Sequence, residues 1–164
     1  MLQLLAKLRT TINQAVEYFT ILLVITMVVI VAAQVFYRFV LSNSLGWSEE
    51  LARFLFIWII FLGSEIGLRK KAHIAVDSVL RMLKGVPQLL LSLFIDVIIM
   101  VFAIIVFLSG LELVQGTMNR PSVSLNLPMG WVYISIPIAM ALILMNTLRT
   151  VFKKLSTKSI EQPE

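Results

Sequence analysis

Long apolar runs with short polar connections make up most of this chain, at residues 18–41, 51–68, 86–114 and 129–151. Each is long enough to cross the hydrocarbon core of a bilayer as a helix, which takes about 20 residues. Strand-like alternation is missing, and uninterrupted runs such as 19–33 select helices over a closed barrel as the way to satisfy the backbone without water. With their flanking residues, the predicted spans cover about 14–41, 47–69, 86–116 and 129–152, with a tail at 153–164. The pattern predicts an all-α integral membrane fold of four long tilted transmembrane helices in a single membrane domain, 1–164. The tilt follows from spans one and three, which exceed the length that a perpendicular crossing needs.

Between the spans the pattern changes character. Val76, Val79, Leu80 and Leu83 recur at helical spacing while Asp77, Ser78, Arg81 and Lys84 take other faces, which predicts a short amphipathic helix lying on the inner leaflet. Leu2, Leu5, Leu8 and Ile12 repeat more weakly around Lys7 and Arg9, predicting a second amphipathic segment at 1–13. The connection at 42–47 reads as a tight polar hairpin, whereas 117–128 holds Pro121 and Pro128 and cannot be continuous helix. Trp47, Trp131 and Tyr133 flank these two loops, as an interfacial aromatic belt would. Pro137 is expected to bend the fourth span.

Charge sets the orientation. Lys7, Arg9, Arg69, Lys70, Lys71, Arg81, Lys84, Arg149, Lys153, Lys154 and Lys158 all fall on one side of the predicted spans, and only Arg38, Arg53 and Arg120 on the other. By the positive-inside rule both termini and the middle loop are cytoplasmic. The formal charge of +5 is thus a matter of topology, and its dispersal beside apolar runs argues against nucleic acid as a partner. With 59% hydrophobic and 14% charged residues, membrane lipids are the expected surroundings. Cysteine is absent, which removes disulfides, thiolate metal sites and cysteine nucleophiles. Val31, Ala32 and Ala33 loosely resemble a signal cleavage site, but the run before them is long for a signal peptide and further spans follow.

The polar residues near the spans are the candidate sites. Arg38, Trp47, Glu49, Glu50 and Arg53 meet across the short outer turn. Ser48 is placed to cap the second helix, Glu49 and Glu50 to sit in its first turn, and Glu49 and Arg53 to pair at i, i+4. A self-neutralised corner and a partner-docking surface are compatible readings of this cluster. Gly63 and Gly67 form a small-xxx-small pair for close helix approach. Glu65 has Arg69 one turn onward. Asp96 lies in a stretch, 86–108, without other charge, and pairing with the Arg69 to Lys71 cluster or with a partner subunit is set against a wet cytoplasmic crevice. Glu112 is expected to be solvated near Gln115, Asn119 and Arg120. His73, the single histidine, belongs to the basic loop, where it supplies neither a metal site nor the paired axial ligands of a bundle haem. No cofactor is expected, and no enzymatic role.

The hairpin VFYRFVLSNSLGWSEELARFLFIWIIFLG at 35–63, the following RKKAHIAVD at 69–77 and the PMGW turn at 128–131 resemble the DctQ-type small membrane subunit of TRAP transporters, the tripartite ATP-independent periplasmic family. The resemblance covers the whole four-span layout. It implies a sodium-coupled importer of an organic acid such as a sialic acid or a C4-dicarboxylate. Its partners would be a large membrane subunit that moves the cargo and a periplasmic substrate-binding protein that captures it. The small subunit would brace the large elevator-type subunit in a bacterial or archaeal cytoplasmic membrane. Trp47, Glu49, Glu50, Ala52 and Arg53 carry over as family-motif positions. An autonomous four-helix transporter acting as a homo-oligomer is the alternative, and Asp96 is the intramembrane acid that it would need.

Overall fold

A computed structural model of the chain describes residues 2–43, 45–70 and 86–158. The amphipathic helix predicted around Val76 to Leu83 and the histidine at 73 lie outside the described residues. Helix α1 runs Leu2–Phe39, α2 Gly46–Arg69, α3 Val86–Thr117, α4 Gly130–Tyr133 and α5 Ser135–Lys158. Among the described residues, four stretches are long and apolar enough to cross a membrane: Arg9–Phe39, Gly46–Arg69, Pro87–Thr117 and Gly130–Phe152. The chain is all-α, as its pattern predicts.

Local chemistry explains where these helices begin and end. No glycine or proline interrupts α1, so residues 2–13 continue into the first span without a helix boundary and are not a separate element. Within it, the hydroxyls of Thr20 and Thr26 donate to the carbonyls of Val16 and Leu22 at 2.8 Å each, which satisfies them in apolar surroundings. The helix stops where Ser42 takes a positive φ of 51°, and the Asn43 N–H turns back to the Tyr37 carbonyl at 3.1 Å. Ser48 does not cap α2 as predicted. The helix already starts at Gly46, so the buried Ser48 hydroxyl instead donates to the Leu45 carbonyl at 2.7 Å. Pro87 opens α3 within its first turn, where its missing N–H has no helical partner to lose.

The effect of Pro137 is visible upstream of it. An uninterrupted helix would bond the N–H of residue 137 to the carbonyl of Tyr133, and the break between α4 and α5 falls at Ile134, directly after that carbonyl. Ile134 keeps helical angles and its N–H reaches the Gly130 carbonyl at 3.0 Å, so the interruption is local.

The chain divides into two compact units. The first is Met1–Gly63 with Leu113–Ser135, and the second is Ser64–Glu112 with Ile136–Glu164. In the first, Phe54, Leu62, Val114 and Val132 are buried, and Phe19 meets Trp58 edge to face at 6.0 Å. A Cβ at Gly130 would stand 3.0 Å from the Met118 Cα and 3.1 Å from the Val114 carbonyl oxygen, so only glycine fits there.

In the second unit the buried positions of α3 are Asp96, Ala103 and Gly110, each seven residues after the last. That spacing is the seam of a left-handed helix pair. α5 buries Ala139, Met140 and Ile143, and its start packs on this seam: a Cβ at Gly110 would come within 3.0 Å of Ile136 Cγ2 and 3.2 Å of Pro137 Cδ. Gly63 and Gly67 are different. A Cβ built at either meets no described atom within 4 Å, so the predicted small-xxx-small pair is not a packing contact among the described residues.

Candidate functional site

Two polar arrangements stand out against the apolar helices, one in each unit. The first is built on the start of α2. Because α2 begins at Gly46, its first turn holds Glu49, with Glu50 the next residue on, and Glu49 meets Arg53 one turn later at 3.5 Å, as the i, i+4 spacing predicts. Both side chains are largely exposed, so the pair adds about 0–1 kcal/mol at most. Trp47 is exposed beside it. Arg38 lies 5.9 Å from the centre of the Phe39 ring and forms no ion pair among the described residues.

Glu50 does something that its position in the helix does not announce. Its carboxylate accepts three successive backbone N–H groups from the α3–α4 loop: Val123 at 3.1 Å, Ser124 at 2.8 Å and Leu125 at 2.9 Å. The first goes to one oxygen and the other two to its neighbour. Charge-assisted bonds of this kind are the stronger ones, and three of them on one group fix the course of the turn.

The two loop prolines support the same turn. Pro121 and Pro128 face one another as an antiparallel bridge. The hydrogen bonds around them are made by their neighbours, Ser122 N–H to the Leu127 carbonyl and Met129 N–H to the Arg120 carbonyl, both at 2.9 Å. The prolines therefore occupy the pair that exchanges no hydrogen bonds, where a missing N–H loses nothing. The buried Ser122 hydroxyl accepts from the Leu127 N–H at 3.2 Å, and Asn126 supplies the positive φ, 52°, that turns the chain back. Val123, at the apex, is 95% exposed.

The second arrangement joins α5 to α2 and α3. Glu65 is 1% exposed and holds Arg69 at 3.0 Å, the predicted pair, but the same carboxylate oxygen also accepts from the Asn146 side-chain amide at 2.7 Å. Asp96 is also buried. Among the described residues its partner is Lys154 of α5, where the sequence left the Arg69 to Lys71 cluster, a partner subunit and a wet crevice open; Lys154 donates to Ser92 as well. The reason is geometric. Asp96 shares the seven-residue seam with Ala103 and Gly110 and so faces α5, whose end carries Lys154 on a stem long enough to reach back into the span. Asn146 and Lys154 were not anticipated, because a lone amide and a tail lysine read as surface residues when their helix neighbours are unknown. The recurrence of small and polar residues at 96, 103 and 110 was the available signal.

Chemically, neither arrangement presents a nucleophile with a base, and among the described residues no group of three His, Cys, Asp or Glu side chains converges as a metal site would need. What they do is fix backbone and helices.

The likeness to known proteins runs across nearly all of this framework. Residues 27–157 match the family described as tripartite ATP-independent periplasmic transporters, DctQ component. The sialic acid TRAP transporter small permease protein SiaQ of Vibrio cholerae is 29% identical over 150 residues, covering 90% of this chain and 86% of that one. The C4-dicarboxylate TRAP transporter small permease protein DctQ of Rhodobacter capsulatus is 29% identical over 126 residues, 74% of this chain and 54% of its own. The isethionate TRAP transporter permease protein DctMQ of Oleidesulfovibrio alaskensis is 30% identical over 105 residues, 63% of this chain but 16% of that protein. This multi-pass membrane chain belongs to the DctQ family, the small permease component of tripartite ATP-independent periplasmic transporters.

Proposed function

We propose that this chain is the stationary small subunit of a sodium-coupled importer of an organic acid. In this reading it lies in the cytoplasmic membrane of a bacterium or archaeon with both termini inside, braces a large elevator-type permease, and helps to dock a periplasmic substrate-binding protein at the Arg38 to Arg53 corner and the α3–α4 loop. The observation that carries it is the pairing of its buried acids with groups of their own unit, although the Glu65 Oε2 is buried without a hydrogen-bond partner. Glu65 is held by Arg69 and Asn146, and Asp96 by Lys154, which also donates to Ser92. An acid that binds a solute or a coupling ion in the membrane has to exchange partners during each cycle. Here those acids tie helices together, which suits a wall that stays still.

Other features support the parts of this reading. The relatives' names specify sialic acid, C4-dicarboxylate and isethionate, all organic acids. A matched stretch amounting to 16% of a permease protein supports action beside a much larger permease. Eleven of the 14 Lys and Arg residues fall on the side assigned to the cytoplasm. Exposed apolar side chains along α1 and α3, among them Ile25, Val29, Phe102 and Ile105, suit lipid and a large partner alike.

Reconstitution tests the reading. Proteoliposomes holding the large permease and this chain should take up labelled organic acid only with the binding protein and a sodium gradient, and omission of this chain should abolish uptake. Autonomous transport by the isolated chain would favour the homo-oligomeric alternative.

A further inference from the structure

The three N–H groups gathered by Glu50 need explaining, because a loop in water can satisfy them with solvent. Their capture by one carboxylate changes the shape of the loop rather than its hydrogen-bond count, and the shape is already supported by the Pro121–Pro128 bridge, the buried Ser122 hydroxyl and the left-handed Asn126. At its apex the turn holds out an apolar side chain, Val123, which is 95% exposed, with Leu127 47% exposed and the polar Ser124 and Asn126 exposed between them. An apolar apex that gains nothing from its own fold, on a turn tied down at several points, is built for contact with something else, since a pre-ordered loop loses little entropy on binding.

We infer that Glu50 is a positioning residue that pre-forms the 122–127 turn, so that its apolar apex at Val123 meets the periplasmic binding protein of the transporter. This rests on the docking reading given under Proposed function and names the element that performs it. A soluble protein suits the apex better than lipid does. The Glu50 carboxylate lies 3.1 Å from the Val123 N–H, and sinking the apex into hydrocarbon would take that charge with it. A protein surface with an apolar recess can receive Val123 while leaving the carboxylate at a wet rim.

The test uses the assembled transporter in proteoliposomes, with uptake measured against the concentration of binding protein. Glu50→Gln places an amide N–H₂ among the three donors, and it should raise the half-saturating concentration of binding protein about fivefold or more while leaving maximal uptake unchanged. Val123→Glu alters a side chain outside the folded core and should raise the same concentration even if Glu50→Gln impairs assembly. A photo-crosslinker at position 123 should capture the binding protein, and less of it in the Glu50→Gln background. Unchanged half-saturation in both variants, with a crosslinker at position 47 still capturing the binding protein, would overturn the role of Glu50 and leave the docking reading standing. Capture of the binding protein from neither position would remove the docking reading itself. Adducts with lipid alone from position 123 would replace the protein partner with the bilayer.

Discussion

Asn146 of α5 donates its side-chain amide to the carboxylate of Glu65 on α2 at 2.7 Å, a bond between residues 81 positions apart in a site that water does not reach. Replacing Asn146 with Leu should leave the Glu65 oxygen short of a donor in its buried site, at a cost of about 1–3 kcal/mol. Glu65→Gln keeps an oxygen for Asn146 but takes the anion away from Arg69, whose side chain is only 14% exposed, and should cost more. Thermal unfolding of the purified chain in detergent should rank Glu65→Gln below Asn146→Leu, and the reverse order would contradict this geometry.

The Asp96–Lys154 pair predicts an asymmetry. Its side chains are only 12% and 23% exposed. Lys154→Met would leave the Asp96 carboxylate buried without its cation, whereas Asp96→Asn leaves an ammonium whose stem can reach the membrane surface. Lys154→Met should therefore destabilise more, by up to about 3–5 kcal/mol if no other cation moves in. Equal effects on the melting of the purified chain, or a larger effect for Asp96→Asn, would contradict the placement.

How much of this was legible in the sequence depended on distance along the chain. Helix content followed from the length of the apolar runs, and Glu49–Arg53 and Glu65–Arg69 from spacing within a single helix, where geometry leaves little freedom. The Glu50 contacts with residues 123–125, the Asn146 amide and the Lys154 ammonium all join segments far apart in sequence. A helix pattern shows which face is polar but does not name the helix that will cover it. Glycine shows the same limit. The GxxxG spacing at 63 and 67 meets no described atom of this chain, while Gly110, isolated in its span, makes the tight contact because it continues the seam of Asp96 and Ala103.

Those glycines can be separated by experiment. Gly110→Val would press on Ile136 and Pro137, where even a Cβ stands 3.0 Å from the nearest atom, and should destabilise the isolated chain by about 1–3 kcal/mol. Gly67→Val faces open space among the described atoms and should change the isolated chain little. Any larger effect of Gly67→Val should appear only when the large permease is present, read as loss of co-purification with stability of the chain preserved. Loss of stability in the absence of that partner would place Gly67 within the chain's own packing instead.

Arg53 supplies a test of the outer corner. Its guanidinium holds Glu49 at 3.5 Å with both side chains about two-thirds exposed or more, at 67% and 71%. Solvent screens such a pair, so Arg53→Ala should lower stability by no more than about 0.5 kcal/mol, while Arg53→Glu places two acids one turn apart and adds a repulsion of similar size. A docking role gives a different signature. Charge reversal at this corner should weaken binding-protein-dependent uptake most at low ionic strength, where a charged encounter surface acts over distances beyond its direct contacts, and the difference from wild type should shrink as salt is added. Uptake by Arg53→Glu that matches wild type across a salt series, at equal amounts of assembled transporter, would leave the corner as a helix start with no share in docking.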